Sequence, residues 1–158
     1  MFGRRSWLLW LLVLASPPPQ AQTNAPWGGA RETAVRYAPA RVLYDIDRGG
    51  AAALGNILDR ISLLDKLYAA DPFEASIVVV IHGDAIPLFG TRDFAQYRDL
   101  MVRAQSLTHA GTIEFRMCRA AAGVRGYRPA DIHGFVQMVP MADAEIVRLQ
   151  KQGYAYMR

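Results

Sequence analysis

A run of β-branched residues near the middle of the chain constrains the fold more than any other feature. Residues 75–83 read ASIVVVIHG, which is apolar with almost no alternation. A strand that is apolar on both sides is usually buried on both sides, as in a parallel sheet covered by helices. The run therefore predicts a buried strand of an α/β protein.

Strand and helix patterns alternate along the rest of the chain. Short segments rich in β-formers predict strands at 41–46, 112–118 and 135–140, with a last strand or tail at 154–158. Apolar residues spaced by three and four predict helices at 51–69, 94–109 and 142–153, with a shorter one after residue 118. Residues 84–93 read as a loop. Such alternation predicts an open, mostly parallel sheet with helices on both faces.

The first 22 residues have the three parts of a secretory signal peptide. Arg4 and Arg5 precede the short apolar run WLLWLLVLA, and SPPPQAQ follows it. We predict cleavage in this region and a periplasmic or secreted protein that is not attached to the membrane, with an uncleaved anchor as the alternative. Residues 23–39 show no sustained period and read as a loosely structured leader. The folded domain is then residues 40–158.

The charge balance argues against nucleic-acid binding. The chain has 18 basic and 14 acidic residues, and two of the basic residues lie in the predicted signal peptide. The mature protein is therefore only slightly positive. It also lacks a basic run with interleaved aromatic residues, which is the pattern that follows a phosphate backbone.

The only cysteine of the chain is Cys118, within FRMCRAAAG. Exported proteins usually form disulfides, but one cysteine cannot form an internal one. Cys118 must be buried and inert, paired with another chain, or chemically used. It leads into a predicted helix between Arg116 and Arg119, and a helix N-terminus with nearby positive charge lowers the pKa of a thiol. The structural alternative is a free cysteine that packs as a small apolar side chain.

Other candidate site residues follow predicted strands. Ligands bind outside the carboxyl ends of the strands in open α/β sheets, and Asp45, His82 and Cys118 all lie at such ends. His82 could act as a base or donate a hydrogen bond to a sulfur anion, and Gly83 would permit a tight turn or close approach to a ligand. Asp45 could orient a site group or cap the following helix. Asn56 is polar on an otherwise apolar helix and could bond a neighbouring loop or subunit.

Several kinds of site are not indicated. His109 and His133 are isolated, so no spacing suggests a metal site. The segment DRGGAAALG follows a strand and contains glycines, but it lacks the spacing of a dinucleotide fingerprint and reads as a loop entering a helix. We therefore predict no metal and no organic cofactor.

Four segments, taken in order, resemble the DsrE/DsrF-like family of small sulfur-relay proteins. They are ALGNIL, VVIHGDAIPLF, FRMC and VPMADAEIVRLQKQGYAY, and the resemblance spans residues 41–156. It implies a three-layer α/β/α fold with a five-stranded parallel sheet, in which the strands ending at His82 and Cys118 are neighbours. It also implies homo-oligomers, often trimers or hexamers, and a persulfide carried on the cysteine that matches Cys118. Most characterised members are cytoplasmic, so the predicted signal peptide departs from the family.

The main hypothesis is an exported persulfide carrier. Cys118 would hold the sulfur, His82 and helix amides would stabilise the anion, and Gly83, Asn56, Asp45 and Arg119 would contribute to binding. A sulfur donor or acceptor protein is the expected partner.

Two alternatives belong to other classes of protein. One is an oligomeric ligand-binding or scaffold module without sulfur chemistry, whose pocket is lined by His82, Pro87, Phe89 and Cys118. The other is a thiol redox sensor that forms an intermolecular disulfide.

Overall fold

The computed structural model describes residues 29–158. The predicted signal peptide and residues 23–28 of the predicted leader lie outside the described residues. Residues 29–39 have no helix or strand and are exposed, and the first strand begins at Ala40. Within the described part of the chain, no helix has both the length and the apolar character needed to cross a membrane.

Five strands and four α-helices alternate along the described chain. The strands are β1 (Ala40–Ile46), β2 (Ala75–Ile81), β3 (Ile113–Cys118), β4 (Val136–Val139) and β5 (Ala155–Met157). The helices are α1 (Ala51–Leu67), α2 (Phe94–Leu107), α3 (Arg119–Val124) and α4 (Ala142–Lys151). The strands form one sheet in the order β4-β3-β2-β1-β5, and every neighbouring pair is parallel. The β-branched run is β2, at the centre of the sheet.

The order of connections places helices on both sides of the sheet. From β1 to β4 the chain steps across the sheet in one direction, and from β4 to β5 it returns over three strands. Because parallel crossovers are right-handed, the return places α4 on the face opposite α1 and α2. The result is the predicted three-layer α/β/α architecture, with an entirely parallel sheet.

One face of the sheet holds most of the apolar core. We call it the packed face, and its strand residues include Tyr44, Val79, Ile81 and Phe115. Helices α1 and α2 cover it with buried side chains, among them Leu54, Leu58, Ile61 and Met101. This face supplies the greater part of the hydrophobic stabilisation, since burial of apolar area is the main favourable term in folding.

The opposite face carries a smaller apolar cluster and most of the polar groups of the sheet. We call it the α4 face, because α4 packs on it. Leu43, Val78, Val80 and Cys118 lie on it, and α4 covers them with Ala142 and Leu149. Side chains alternate along a strand, so Asp45, Glu114 and Arg116 project from this face too.

Helix α1 ends two residues before its predicted end. Ala69 and Ala70 have φ angles of 55° and 52°, the left-handed region that alanine seldom adopts. Their N–H groups bond the carbonyls of Lys66 and Asp65 at 3.0 and 2.9 Å. This turn satisfies the last carbonyls of the helix before Pro72, so the helix stops at Leu67 without a glycine.

The segment predicted as a loop after β2 is compact. It forms 3₁₀ turns at Gly83–Phe89 and Thr91–Asp93. The reason is burial: Ala85, Ile86, Leu88 and Phe89 all enter the core of the packed face. The apolar residues of IPLF were a signal of this packing.

Candidate functional site

Two interlocked turns shape the carboxyl edge of the sheet. Gly83 follows β2 with a φ of +56°, and a Cβ atom placed there would lie 2.6 Å from the carbonyl oxygen of Asp47. A Cβ atom at Gly49 would lie 2.6 Å from the carbonyl oxygen of Asp84. The Asp84 N–H donates to the Asp47 carbonyl at 2.7 Å. Both glycines are therefore needed for the turns after β1 and β2 to lie against each other.

The β2 turn holds His82 in a hydrogen-bonded group of three side chains. His82 Nε2 lies 2.7 Å from Asp45 Oδ1, and the Tyr156 hydroxyl donates to Asp45 Oδ2 at 2.5 Å. Tyr156 reaches Asp45 because β5 pairs with β1 and places Tyr156 beside Leu43 on the α4 face. The hydrogen bond to Asp45, helped by burial, raises the pKa of Tyr156 above its ordinary value of 10.0.

Asp45 fixes the tautomer of His82. An ionised carboxylate can only accept hydrogen bonds, so a neutral His82 must carry its proton on Nε2. Its other ring nitrogen, Nδ1, is then a free acceptor, and no described residue donates to it. Nδ1 is therefore the ring nitrogen of His82 that can accept a hydrogen bond or a proton.

Cys118 lies where β3 becomes α3, as the sequence predicts. It is the N-cap residue of α3, and its Sγ accepts a hydrogen bond from the Ala121 N–H at 3.4 Å. The side chain is only 4% exposed, and it packs with Val80, Ala142 and Leu149. The sulfur thus has a backbone donor aimed at it but little direct access to solvent.

His82 and Cys118 lie next to each other on the edge of the sheet. Ile81 of β2 is paired in register with Met117 of β3, and the following residues are His82 and Cys118. Both side chains belong to the α4 face, since Ile81 and Met117 face the packed side. No hydrogen bond joins them within residues 29–158.

A charged network lies beside Cys118 on the same face. Arg116 donates to Glu145 at 2.5 Å and to Glu114 at 2.7 Å, and Arg148 donates to Glu145 at 2.6 Å. The Arg148 hydrogen bond and then Arg116 lower the pKa of Glu145, against the opposing effect of burial. Burial opposes the charged form of Arg116, but its two carboxylate partners still raise its pKa. The positive charge of Arg116 is therefore committed to these glutamates.

A comparison with protein families covers most of the helices and strands described above. The sequence model of the DsrE/DsrF-like family matches residues 50–158, from the start of α1 through β5. The chain belongs to the DsrE/DsrF-like family. The resemblance read from the four sequence segments is confirmed, and so is the predicted fold class.

A solved structure has the same kind of fold as this DsrE/DsrF-like chain. It is the protein of unknown function MTH1491 from Methanobacterium thermoautotrophicum, which is 25% identical and superposes with a TM-score of 0.57. The match covers 75% of this chain and 98% of that one. No curated protein is similar to the chain at a significant level.

The remaining predicted site residues of this DsrE/DsrF-like protein form no hydrogen bond with the thiol within residues 29–158. Arg119 is exposed at the start of α3 and, among the described residues, forms no ion pair. Asn56 is exposed on α1 and has no side-chain hydrogen bond within residues 29–158. Asp45 orients His82, and the cap position of α1 is occupied by Gly50 instead.

The prediction of a pocket lined by His82, Pro87, Phe89 and Cys118 is wrong for Phe89. Phe89 is wholly buried on the packed face, with its ring 6.0 Å from that of Phe115. It cannot line an open pocket beside His82, because its burial pulls the 3₁₀ turn into the core. Among residues 29–158, no group of three or more His, Cys, Asp and Glu side chains could hold a metal ion.

The sequence analysis missed Tyr156 and Arg158 as members of this edge. Tyr156 bonds Asp45, and Arg158 pairs with Asp47 at 2.8 Å. Both contacts depend on β5 pairing with β1 after a crossover over three strands. The alternating YAYMR segment was the only available signal.

Proposed function

We propose that this DsrE/DsrF-like protein carries sulfane sulfur as a persulfide on Cys118. The observation that supports this most is the backbone N–H of Ala121 directed at Sγ, at 3.4 Å. A donor at this place stabilises a thiolate more than a thiol, and the thiolate is the reactive form. Family membership supports a sulfur-relay role in general terms.

The loading step needs no cofactor and no net oxidation. The Cys118 thiolate attacks the outer sulfur of a persulfide or polysulfide donor. An S–S bond forms on Cys118 and the S–S bond of the donor breaks. The electron pair leaves on the inner sulfur of the donor, as a thiolate from a persulfide or as a shorter polysulfide anion from a polysulfide. The reverse exchange with an acceptor thiol returns Cys118 to its starting state.

His82 is the best placed base for this exchange. The Cys118 thiol must lose a proton before it attacks, and His82 is its neighbour across the β2–β3 register. Asp45 holds Nε2 and leaves Nδ1 able to accept that proton. Once protonated, the ring places a positive charge beside the sulfur anion.

Loading requires a local opening over the sulfur, since Cys118 is nearly buried. The cover includes Ala142 at the start of α4, which follows the exposed Met141. A hydrogen bond of 3.3 Å, from the Ala120 N–H to the Pro140 carbonyl, ties α3 to this turn. We propose that displacement of residues 140–142 exposes Sγ without unfolding the sheet.

A ligand-binding module without sulfur chemistry is the second candidate. The burial of Cys118 favours it, because an inert cysteine packs as a small apolar side chain. It predicts that replacement of Cys118 by Ser leaves ligand binding unchanged. An intermolecular disulfide, the redox-sensor alternative, stays a prediction that the same burial does not favour.

Export, assembly and partners are further parts of the proposal. The signal-like residues 1–22 support export. Leu63 and Leu67 are one helical turn apart on α1 and more than half exposed, which supports a homo-oligomer, with the trimer or hexamer as the expected form. A sulfur donor or acceptor protein would then meet the assembled particle. Light scattering after gel filtration tests the assembly directly.

The experiment is intact-mass spectrometry of the purified protein after incubation with polysulfide. We expect a gain of about 32 Da, one sulfur atom, that dithiothreitol removes. The variant Cys118→Ser should show no gain and keep the same circular dichroism spectrum. His82→Gln should load more slowly, while His109→Gln, at an exposed histidine of α2's C-terminal turn, should load at the normal rate.

An absence of mass gain in the folded wild-type protein would overturn the carrier proposal. A gain that persists in Cys118→Ser would do so as well, because the sulfur would then be bound elsewhere. In the first case the binding-module candidate becomes the better account.

A further inference from the structure

Four side chains form a row across four neighbouring strands at the carboxyl edge of the sheet. The strands β5, β1, β2 and β3 are adjacent in this order, and they place in the row Tyr156, Asp45, His82 and Cys118. Hydrogen bonds join the first three, and His82 is the neighbour of Cys118 across the β2–β3 register. The persulfide proposal gives a role to each of these residues except Tyr156.

Asp45 depends on Tyr156 for one of its two carboxylate oxygens. Oδ1 meets His82 Nε2, and Oδ2 accepts a hydrogen bond from the Tyr156 hydroxyl. The Asp45 side chain is only 10% exposed, and no lysine or arginine within residues 29–158 forms an ion pair with it. A mostly buried carboxylate that loses a donor is left with an unsatisfied oxygen, which costs free energy. The hydroxyl of Tyr156 is therefore a contact that Asp45 cannot lose without moving.

Hydrogen bonds to both oxygens fix the plane of the Asp45 carboxylate. The torsion that rotates a carboxylate has a broad distribution, so a single hydrogen bond leaves this plane free to turn. With Oδ2 held by Tyr156, Oδ1 keeps one direction, and so does the His82 ring that bonds it through Nε2. The strands β1 and β3 lie on opposite sides of β2. A ring held towards Asp45 by Nε2 therefore has Nδ1 on its other edge, away from β1.

Tyr156 is itself held in place by the pairing of β5. It lies opposite Leu43 of β1, and Arg158, two residues further on, pairs with Asp47 at 2.8 Å. The hydrogen bond to Asp45 raises the pKa of Tyr156 above its ordinary value of 10.0. The hydroxyl therefore stays protonated at neutral pH and remains a donor.

We propose that Tyr156 is a positioning residue for the reaction of Cys118. Its hydroxyl holds the Asp45 carboxylate, and through it the His82 ring, in the orientation in which Nδ1 accepts the thiol proton. In that step the S–H bond breaks, the proton moves to Nδ1, and the electron pair stays on Sγ. The inference rests on the proposed function, since the orientation of the ring affects the reaction only if Cys118 is the nucleophile. The three-residue strand β5 thus becomes part of the site.

The His82 ring gives the first test, which needs no sulfur. Long-range proton–nitrogen correlation NMR of the isotope-labelled protein shows which nitrogen of a neutral imidazole carries the proton, and His82→Gln identifies the signals. We expect protonation of Nε2 alone in the wild type and a mixture of both tautomers in Tyr156→Phe. Tyr154→Phe is the matched control, because its hydroxyl lies 2.7 Å from Ser76 Oγ near the start of β2. It should leave the ring signals unchanged.

The rate of sulfur loading gives the second test. It is measured as the time course of the mass gain with polysulfide. Tyr156→Phe should load about threefold to tenfold more slowly, which is a part of what a general base contributes, while Tyr154→Phe should load at the wild-type rate. Because Tyr156 acts through His82, adding Tyr156→Phe to His82→Gln should slow loading no further. A general structural role of the hydroxyl would slow loading by the same factor in both backgrounds.

The two tests separate this inference from the persulfide proposal. If the wild type loads sulfur, three results would overturn the positioning role: unchanged ring signals in Tyr156→Phe, a wild-type loading rate in that variant, or equal slowing in both backgrounds. A wild-type ring protonated on Nδ1 would overturn it as well. If the wild type gains no sulfur, the persulfide proposal fails and the role in the reaction fails with it. A change of tautomer in Tyr156→Phe would then still show that the hydroxyl orients the ring.

Discussion

The two faces of the sheet differ in what they contain, although both are built from the same strands. In β3, Phe115 enters the aromatic core of the packed face, and its neighbour Arg116 enters a charged network on the α4 face. The packed face is covered by the two longest helices, α1 and α2, whereas α4, which covers the α4 face, has ten residues. Asp45, His82 and Cys118 all lie on the α4 face. The fold thus separates the residues that supply most of its apolar core from those to which we assign the proposed chemistry.

The largest expected effect is on the packed face. Phe115→Ala removes a wholly buried ring that contacts Phe89 and Phe135, with centroids 6.0 and 5.6 Å away. It should lower the free energy of unfolding by about 3–5 kcal/mol, through lost burial and a cavity. Urea denaturation measures this. A loss under about 1 kcal/mol would mean that the packed face is not the main source of stability.

The next effect concerns the turn that places His82 on the α4 face. Gly83→Ala puts a Cβ atom against the Asp47 carbonyl at a positive φ, and should cost about 1–3 kcal/mol. Gly123→Ala is the matched control, since it lies inside α3 with free space around it and should be neutral or stabilising. Equal thermal stability of the two variants would contradict the interlocked turns.

Arg116 tests how much the charged network of the α4 face contributes. Arg116→Met should cost about 1–2 kcal/mol, because Glu145 keeps Arg148 as a partner. The lowered pKa of Glu145 makes its stabilisation fully present above its ordinary pKa of about 4.5, and lost as the pH falls through the folded value. In Arg116→Met this acid-dependent loss should be smaller. An unchanged acid profile in denaturation curves would show that Arg116 has no part in it.

The smallest expected effect is the pH dependence of the free energy of unfolding that comes from His133, at the margin of the packed face. Its Nε2 is buried near Phe94 and Phe135 and has no hydrogen-bond partner among residues 29–158, and burial lowers the pKa of the ring below 6.5. Its contribution to stability is therefore present above about pH 6.5 and lost as the pH falls through the folded value. His133→Phe should remove this dependence, and His109→Gln should not. Urea midpoints at several pH values compare the three proteins.

Much of the fold and part of the candidate site could be predicted from short segments of the sequence. The apolar run of β2 indicated a strand buried on both faces, and it is the central strand. Cys118 was predicted at a strand-to-helix junction, where it caps α3. Both predictions depend on short stretches of sequence, in which the strand or helix propensity of the residues and the spacing of apolar side chains determine the local structure.

The features that were missed depend on contacts between distant segments. Tyr156 meets Asp45 only because β5 lies beside β1, and no local pattern specifies that pairing. The burial of Phe89 follows from how the turn after β2 packs on the sheet.

The most direct test of the difference between the two faces is the rate at which Cys118 reacts with an alkylating reagent. The rate is measured in the folded protein at rising urea concentrations, all below the unfolding transition. If a local opening of the α4 face exposes the sulfur, little new surface is uncovered and the rate should hardly change with urea. Phe115→Ala should then leave the rate nearly unchanged despite its lower stability. A rate that rises with urea as steeply as global unfolding, and that increases in Phe115→Ala, would show that Cys118 is reached only by unfolding and would contradict the account.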